Sequence, residues 1–295
     1  MNKLTRHLLW APLAALWTLG GCSINDSLDD CPQGIHASFY SLTACEADTL
    51  YPAHVADLRM FVFDARGTLA GYGSADEVRS LADYVHTLDA RDGWFTVVAW
   101  SGLSDDAFAL PAPVIGVTTK DEMRTQVRQA ARQAAPMGEK RIYYGESAPV
   151  FLPDPAEHGS VFERVSVNLL EQTYRVNVEV EGLPPTGEYE ILVDTEEGSA
   201  TFDADGLLTA SFTLMQLELG MDATLIIRER ATGRELYRGD LLGTLLLKNP
   251  GVDPTCDRDF TIRFSTEDQC QCGTYMIMRI WVNDWLVHSY DTDLS

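Results

Sequence analysis

The strongest constraint on the fold of this chain is an alternation of apolar and polar residues with a period of two. In the segment YRVNVEVEG every second side chain from Tyr174 to Val180 is apolar, and DFTIRF repeats the pattern from Phe260 to Phe264. Because successive side chains of a strand point to opposite faces of a sheet, both segments predict half-buried strands.

Turn signals divide other alternating segments into hairpins. LRMFVFDARGTLAGYG turns at Asp64–Gly67, TFDADGLLTASF at Asp205–Gly206 and ATLIIRERATGRELY at Thr232–Gly233. The segment WFTVVAW, with Trp94 and Trp100 at its ends, is apolar on both faces. It predicts a central strand, and we expect both tryptophans to pack in the core.

One segment has helical spacing instead. In TKDEMRTQVRQAARQAAP the apolar residues recur every three or four positions, Thr119 and Glu122 form a capping box, and Pro136 ends the run. The pattern predicts a single helix over Lys120–Ala135. One helix among about a dozen short strands favours β-sandwiches over alternating βαβ units.

The phase of the alternation changes near Glu171–Thr173. Inward positions are odd-numbered from Val165 to Leu169 and even-numbered after the change. We interpret the change as the boundary between two domains, residues 34–172 and residues 173–295, each of a size common for one sandwich. The predicted fold class is all-β, with two tandem β-sandwiches and one helical insert in the first.

The first 21 residues have the form of a secretory signal peptide. Lys3 and Arg6 precede the apolar run Leu8–Leu19, which is shorter than the ~20 residues that span a bilayer. The end of the run, LGGC, resembles the lipobox of bacterial lipoproteins. The resemblance implies signal cleavage between Gly21 and Cys22 and lipidation of Cys22, which would tether the protein to a membrane. The alternative is an ordinary secretory signal in which the cysteine is incidental.

Residues 22–33 form an acidic linker in this interpretation. Asp26, Asp29 and Asp30 resemble the export tag of surface lipoproteins in some Gram-negative groups, although a solvated, disordered linker has the same composition. Residue 23 is serine, and not the aspartate that would resemble an inner-membrane retention signal. The expected location is therefore the cell outer membrane, with a lipid-anchored and surface-exposed protein.

The charge balance argues against several partners. The chain has 22 Lys and Arg against 44 Asp and Glu, and loss of Lys3 and Arg6 with the signal leaves 20 against 44, a net charge of −24. Such an acidic surface repels nucleic acid and anionic lipid headgroups. No second apolar stretch reaches membrane length, so we expect lipid alone to hold the protein.

Five cysteines other than Cys22 are possible disulfide partners in an exported chain. They are Cys31, Cys45, Cys256, Cys270 and Cys272. Cys31 and Cys45 flank a strand-like segment and could close a small loop, and Cys256 could pair with Cys270 or Cys272. Neighbours at i and i+2 on one strand are poorly placed to bond each other, so one thiol is left over. The Cys-x-Cys spacing and the lack of a complementary histidine pair argue against zinc.

The sequence contains no clear catalytic constellation. Its six histidines are dispersed, GESAP at residues 145–149 has proline where a nucleophile elbow needs glycine, and no glycine-rich loop joins a strand to a helix. DADG at residues 203–206 lacks further ligands of a calcium loop and fits a hairpin turn better. We expect no enzymatic activity, no bound metal and no small-molecule cofactor.

The C-terminal segment YMIMRIWVNDWLVHSY is apolar on both faces. Even positions from Met276 to Val282 would face a core, while Ile277 and Trp281 lie on the opposite face and Trp285 follows. An open strand edge offers unpaired backbone groups to another chain. These three residues are the predicted subunit junction; the alternative is an internal strand covered by the other domain or a loop.

The order of these motifs resembles that of the FimB-type fimbrial anchor and assembly lipoproteins. The motifs are the lipobox, the Cys-Pro of DDCPQG, LRMFVFD, WFTVVAW, IYYGES after the helix, RVNVEVEGLP and the terminal IWVNDWLVH. Together they cover nearly the whole mature chain. The resemblance implies two transthyretin-like sandwiches, a lipid anchor in the outer membrane, and a protein that holds the base of a fimbria, assists its assembly and limits its length.

The resemblance also implies strand exchange or edge contact with the first fimbrial shaft subunit. Shaft subunits of such fimbriae lose an N-terminal strand by cleavage after arginine or lysine, whereas anchors keep theirs, and here neither residue lies between Cys22 and Arg59. The alternative function is a surface lipoprotein that binds glycans through exposed aromatic side chains. A tethered hydrolase is a third class of function that the sequence leaves open.

Overall fold

The structure is a computed structural model that describes residues 28–53, 55, 57–103, 112–125, 141–194, 196–198, 200–215, 223–268 and 270–290. These residues form short strands in four sheets, joined by turns and a few short helical segments. The predicted all-β class is confirmed.

Two sheets contain the described strands before residue 172. They are β1 (Gly34–Tyr40), β2 (Leu58–Asp64), β3 (Leu69–Ala75), β4 (Val85–Asp89), β5 (Gly93–Ser101), β6 (Tyr143–Glu146), β7 (Val150–Leu152), β8 (Phe162–Asn168) and β9 (Leu170–Glu171). One sheet has the order β4-β1-β8 and the other β3-β2-β5-β6-β9, with β7 also paired to β5. Their facing sides enclose a core that includes Ile35, Phe39, Met60, Val97 and Val167.

Two further sheets contain the described strands after residue 172. They are β10 (Thr173–Glu181), β11 (Tyr189–Val193), β12 (Glu196–Gly198), β13 (Thr201–Phe202), β14 (Leu208–Met215), β15 (Thr224–Glu229), β16 (Glu235–Asp240), β17 (Asp259–Asp268), β18 (Tyr275–Val282) and β19 (Trp285–Ser289). The larger sheet has the order β13-β14-β10-β17-β18-β19, and the smaller β12-β11-β15-β16. Tyr174, Ile191, Ile227, Phe260 and Phe264 lie in the core between them.

The first strand of each half has the same pair of neighbours. Strand β1 runs antiparallel to β4 and parallel to β8, and β10 runs antiparallel to β14 and parallel to β17. In both halves the first strand is therefore an inner strand, held by backbone hydrogen bonds on both sides.

The strand patterns read from the sequence are confirmed in several places. The alternating apolar side chains from Tyr174 to Val180 and from Phe260 to Phe264 are buried. Strands β2 and β3, β13 and β14, and β15 and β16 pair as hairpins, with Gly67, Gly206 and Gly233 at φ of 75°, 77° and 71° in their turns. Strand β5 lies inside its sheet between β2 and β6.

The predicted helix is described only at its start. Residues 120–125 form helix α1, where the hydroxyl of Thr119 accepts a hydrogen bond from the Glu122 amide at 3.2 Å, as the capping box requires. The remainder of the prediction, through residue 135, lies outside the described residues. A second helix, α2 (Pro155–His158), is one turn long, and Leu241–Leu245 form a π-helical turn. Among the helices that the structure describes, none combines the length and the apolar character needed to cross a membrane.

The expectation that Trp94 is a core residue is wrong. Even-numbered side chains of β5 point to the outer face of its sheet, where Trp100 is covered by Met123 of α1 and by Ile142. Trp94 lies at the opposite end of the same strand and is 54% exposed. The apolar sequence of β5 indicates that other residues pack on both faces of the strand. On the outer face, however, those residues do not reach the first residues of β5.

The change from the first core to the second falls between Leu169 and Tyr174. Strand β9 ends at Glu171 and β10 begins at Thr173. Buried residues up to Leu169 belong to the first core, and those from Tyr174 onward belong to the second. Whether residues 34–172 and 173–295 are independently folding domains stays a prediction.

The predicted signal peptide and the predicted lipidation site at Cys22 lie outside the described residues. Two of the last residues of the predicted acidic linker, Cys31 and Gln33, are buried, whereas Asp30 and Pro32 are exposed. The Gln33 side chain donates hydrogen bonds to the carbonyl oxygens of Pro153 and Gly159 at 3.0 and 3.1 Å. The end of the linker is thus fixed against the first sandwich.

Candidate functional sites at the seam and the C-terminal sheet edge

The first candidate site is the contact between the two sandwiches, here called the seam. It comprises Cys45, Arg141 and Glu171 of the first half with Arg175 and residues 253–259 of the second. A disulfide between Cys45 and Cys256 joins the loop after β1 to the loop before β17, with Cα atoms 6.0 Å apart, within the usual range for a disulfide. The two halves are therefore covalently linked at a second point besides the main chain.

The cysteine pairings differ from those expected from the sequence. Cys45 bonds Cys256, 211 residues away, whereas Cys31 is buried near the start of the first sandwich and lies outside both disulfides. Cys270 bonds Cys272, with Cα atoms 5.1 Å apart. The expectation that i and i+2 cysteines cannot pair assumed that both lie on one strand, but here they lie in the β17–β18 turn, with Gln271 at φ 53° between them.

Ionic hydrogen bonds reinforce the seam. The Arg175 guanidinium donates to the carboxylates of Glu171 and Asp259, with Nη2 2.8 Å from Asp259 Oδ2. Arg258 donates from Nε to the Glu171 carbonyl oxygen at 3.2 Å, and Arg141 lies 3.7 Å from the Glu171 carboxylate. The hydrogen bond from Arg175 holds the pKa of Asp259 below its usual value, and the same bond raises the pKa of Arg175.

The loop that carries Cys256 is fixed by polar contacts of its own. The buried Tyr174 hydroxyl donates to the Pro254 carbonyl oxygen at 2.8 Å, and the Arg258 guanidinium lies 5.3 Å from the Tyr174 ring. The Asp253 carboxylate accepts from the Thr255 amide at 2.9 Å. Cys256 is thus presented to Cys45 by an ordered loop.

Two groups of sulfur and carboxylate atoms lie close enough to surround a cation. One contains Cys45, Asp253 and Cys256, and the other contains Asp268, Cys270 and Cys272. Metal binding by cysteine requires thiolates, and in both groups the sulfur atoms are bonded to each other. The arrangement fits disulfide formation better than metal coordination.

The second candidate site is the C-terminal sheet edge, formed by β19. Strands β18 and β19 are joined by Asn283 and Asp284, whose φ angles are 46° and 63°. Two consecutive left-handed residues produce the two-residue turn that suits a hairpin, and Asn and Asp tolerate it better than most residues. Asn283 also accepts a hydrogen bond from the Thr261 amide at 2.8 Å. The Asn-Asp pair is a turn signal that our single-segment interpretation of residues 275–290 missed.

Strand β19 pairs with β18 on one side and has no other strand partner among the described residues. Trp285 and Leu286 are 53% and 47% exposed, and Tyr290 beyond the strand is also exposed. Val287 packs against the second core. The edge therefore combines open backbone groups with exposed apolar side chains, which is uncommon for the edge strand of a soluble protein.

The three predicted junction residues occupy different environments. Trp285 is exposed on β19, and Trp281 is half-buried on β18 opposite Leu286. Ile277 packs against the second core, so its predicted outward orientation is wrong, and Met276 is exposed where we expected it to be buried. The cause is a β-bulge at Met278, where the register shifts between Ser265 and Thr266 of β17. One extra residue exchanges the two faces of the strand.

Comparison with known proteins identifies the family. The profile of the family described as fimbrillin-A associated anchor proteins Mfa1 and Mfa2 matches residues 28–291. The chain belongs to this anchor family. The match covers both sandwiches, the seam and the C-terminal sheet edge, and the recognition made from the sequence motifs is confirmed.

Two similar proteins come from Porphyromonas gingivalis and Bacteroides thetaiotaomicron. The minor fimbrium anchoring subunit Mfa2 of P. gingivalis is 33% identical, over 96% of this chain and 94% of its own. The solved structure of the Mfa2 anchor protein has a TM-score of 0.74 at 30% identity, over 88% of this chain and all of that one. A B. thetaiotaomicron protein of the DUF1812 group shares the fold, with a TM-score of 0.64 at 17% identity over 89% and 99% of the two chains.

Proposed function

We propose that this protein anchors the base of a fimbria in the cell outer membrane and assists its assembly and length control. Acyl chains on Cys22 would hold the membrane, and the C-terminal sheet edge would join the first shaft subunit by strand addition or edge contact. The observation that carries the proposal is the open, apolar edge of β19 in a chain of the anchor family.

The position of β1 supports a junction at an edge of this kind. Strand β1 lies between β4 and β8, and its inward side chains Ile35, Ala37 and Phe39 are at most 1% exposed. The first sandwich is thus completed by its own N-terminal strand. A partner strand that took this position would have to displace a fully packed strand, whereas β19 accepts a neighbour without any loss of existing pairing.

The junction is tested by charge at the edge. The double variant Trp285→Lys/Leu286→Lys places two cations on β19 at exposed positions, where they disfavour strand pairing with little effect on the core. We expect cells with this variant to shed fimbriae into the medium while the variant stays folded and membrane-bound. Tyr72→Lys, at a 56% exposed position on edge strand β3, is the matched control. Normal retention of fimbriae by the double variant would refute the junction at β19.

The lipid tether is tested separately. Cys22→Ala removes the thiol that is alkylated, so we expect an unlipidated precursor that no longer fractionates with the outer membrane after carbonate washing. Cys31→Ala, which alters the next cysteine in the chain, should fractionate like wild type. Equal membrane retention of Cys22→Ala and wild type would contradict the tether.

Glycan binding is a second candidate with one specific observation in its favour. Trp94 and Phe151 are both exposed on adjacent strands, with ring centroids 5.3 Å apart, and paired aromatic rings can stack on sugar rings. If glycan binding is a function of the chain, Trp94→Ala should abolish retention on a surface-glycan array without affecting fimbriae. Equal retention of Trp94→Ala and wild type would remove this candidate.

A further inference from the structure

We propose that the Cys45–Cys256 disulfide is a load path, which carries tension from the membrane tether to the C-terminal sheet edge and leaves residues 46–255 out of the stretched chain. The proposal rests on the proposed function, which places the tether at residue 22 and the load on β19. It assigns a mechanical role to a cross-link whose two cysteines lie 211 residues apart in the sequence.

The covalent route is short because the disulfide closes a large loop. From residue 22 it follows the chain to Cys45, crosses the two sulfur atoms to Cys256, and continues to β19. Residues 46–255 lie inside the closed loop, which contains most of the first sandwich and much of the second. A tensile force between the two ends cannot extend a loop whose ends are bonded to each other.

The segments that remain on the route begin as extended strands. Strand β1 lies between the tether and Cys45, and β17 begins at Asp259, three residues after Cys256. A strand already rises about 3.3 Å per residue, close to the limit of a stretched chain. Tension along β1 is transmitted from one end of the strand to the other, so its neighbours β4 and β8 need not be sheared apart.

Without the disulfide the same force would follow a different route. The force would pass from β1 along the main chain of the whole first sandwich. It would reach the second sandwich only at Gln172, between β9 and β10. The remaining seam contacts are hydrogen bonds and ion pairs, among them Arg175 to Asp259 and Arg258 to the Glu171 carbonyl. Such contacts yield to sustained tension far sooner than a covalent bond.

The second disulfide provides an internal control. Cys270 and Cys272 also lie on the route, in the turn between β17 and β18, but their bond encloses only Gln271. Its removal changes the number of cysteines in the same way and releases almost no chain length.

The test is single-molecule stretching of the mature chain, from residue 22 to residue 295, held by handles at its two ends. We expect the double variant Cys45→Ser/Cys256→Ser to extend about 700 Å further than wild type before full extension, at roughly 3.3–3.6 Å for each released residue. Cys270→Ser/Cys272→Ser should extend like wild type. Because the first variant could fail to fold, folded wild-type protein is also stretched after reduction with a phosphine, which should add the same length.

Two results would overturn the proposal. One is an oxidised wild-type chain that extends as far as the reduced chain, and the other is the absence of a Cys45–Cys256 peptide pair by mass spectrometry without reduction. The measurement needs no fimbria, so its outcome is independent of the anchoring role. The oxidised chain could show the short extension and still fail to hold fimbriae on cells. That result would support the load path and refute the proposed function.

Discussion

Arg175 is the residue on which the charges of the seam converge. Its guanidinium binds Glu171, which belongs to β9 of the first half, and Asp259, at the start of β17 in the second. One cation therefore satisfies two carboxylates that would repel each other without it. The hydrogen bond to Asp259 favours the ionised form and lowers the pKa of that carboxyl.

This pKa shift predicts a pH dependence of stability. Because the folded-state pKa of Asp259 lies below its ordinary value of 3.8, the stabilisation is fully present above that value and is lost as the pH falls through the depressed pKa. Asp259→Asn should lower the free energy of unfolding by about 1 kcal/mol or less near neutral pH, since the carboxylate is largely exposed.

Urea denaturation of both proteins across the acidic range measures the effect. The difference between wild type and Asp259→Asn should shrink toward zero as the pH falls below the ordinary pKa of aspartate. A difference that is constant with pH would show that the carboxylate charge is not the cause.

At the residue scale, alternation predicted which side chains are buried wherever a strand is regular. It succeeded from Tyr174 to Val180 and failed at Met276 and Ile277, because a bulge at Met278 inverts the faces. It also failed at Trp94, where burial depends on how far a covering element extends along the strand. The alternation of apolar and polar residues is the same with or without a bulge. It is also the same whether or not another element packs over the strand, so the sequence pattern indicates neither feature.

Strand β1 is the central strand of the three-stranded sheet in the first sandwich. It is the only described strand that joins β4 to β8, and Phe39 on its inner face is 1% exposed. Phe162 on the neighbouring strand β8 is 41% exposed and stacks on His36, with ring centroids 5.1 Å apart.

The two phenylalanines give a matched prediction for β1. Phe39→Ala should destabilise the protein by about 3–5 kcal/mol, because it removes a large buried side chain and leaves a cavity. Phe162→Ala should cost less than about 1.5 kcal/mol, the value of an exposed aromatic contact. Thermal or urea unfolding of both variants measures the difference, and equal losses would contradict the central position of β1.

At the element scale, turn chemistry was the most reliable guide. Asp64–Gly67, Asp205–Gly206 and Thr232–Gly233 marked three hairpins that the structure contains. The β18–β19 hairpin went unrecognised because its turn has no glycine and its two strands are equally apolar. The pair Asn283 and Asp284 was the available signal, and it would have placed the sheet edge at β19 and not at β18.

At the scale of the whole molecule, the two disulfides should contribute very differently to stability. The Cys45–Cys256 bond closes a loop defined by a separation of 211 residues, whereas Cys270–Cys272 has a separation of 2. Loop-closure entropy predicts a contribution of about 5 kcal/mol for the first and less than about 2 kcal/mol for the second.

Serine variants test this prediction. Cys45→Ser/Cys256→Ser should lower the midpoint of urea unfolding far more than Cys270→Ser/Cys272→Ser, each measured under oxidising conditions. Similar midpoints for the two variants would mean that the long loop adds no constraint to the unfolded chain.

The sequence predicts a two-part organisation, but it does not indicate how the parts are joined. The phase change at Glu171–Thr173 is local and therefore visible in the pattern. The contact of Cys45 with Cys256 depends on the relative position of two loops that are distant in the sequence. A local sequence pattern carries no information about that position. The expectation that these cysteines form disulfides therefore did not indicate the pairs that the structure contains.

The parallel strand pair in each half also determines the direction in which the chain crosses that half. Because β1 and β8 run in the same direction, as do β10 and β17, the chain enters each sandwich at one pole and leaves at the other. Gln172 alone separates the exit of the first from the entry of the second. At about 3.3 Å per residue, β1 and β10 span roughly 20 and 30 Å, so a single strand crosses each half from one end to the other. The distance between entry and exit in each half therefore depends on the lengths of its strands and not on the number of residues in its loops, so loops can lengthen in evolution without changing it.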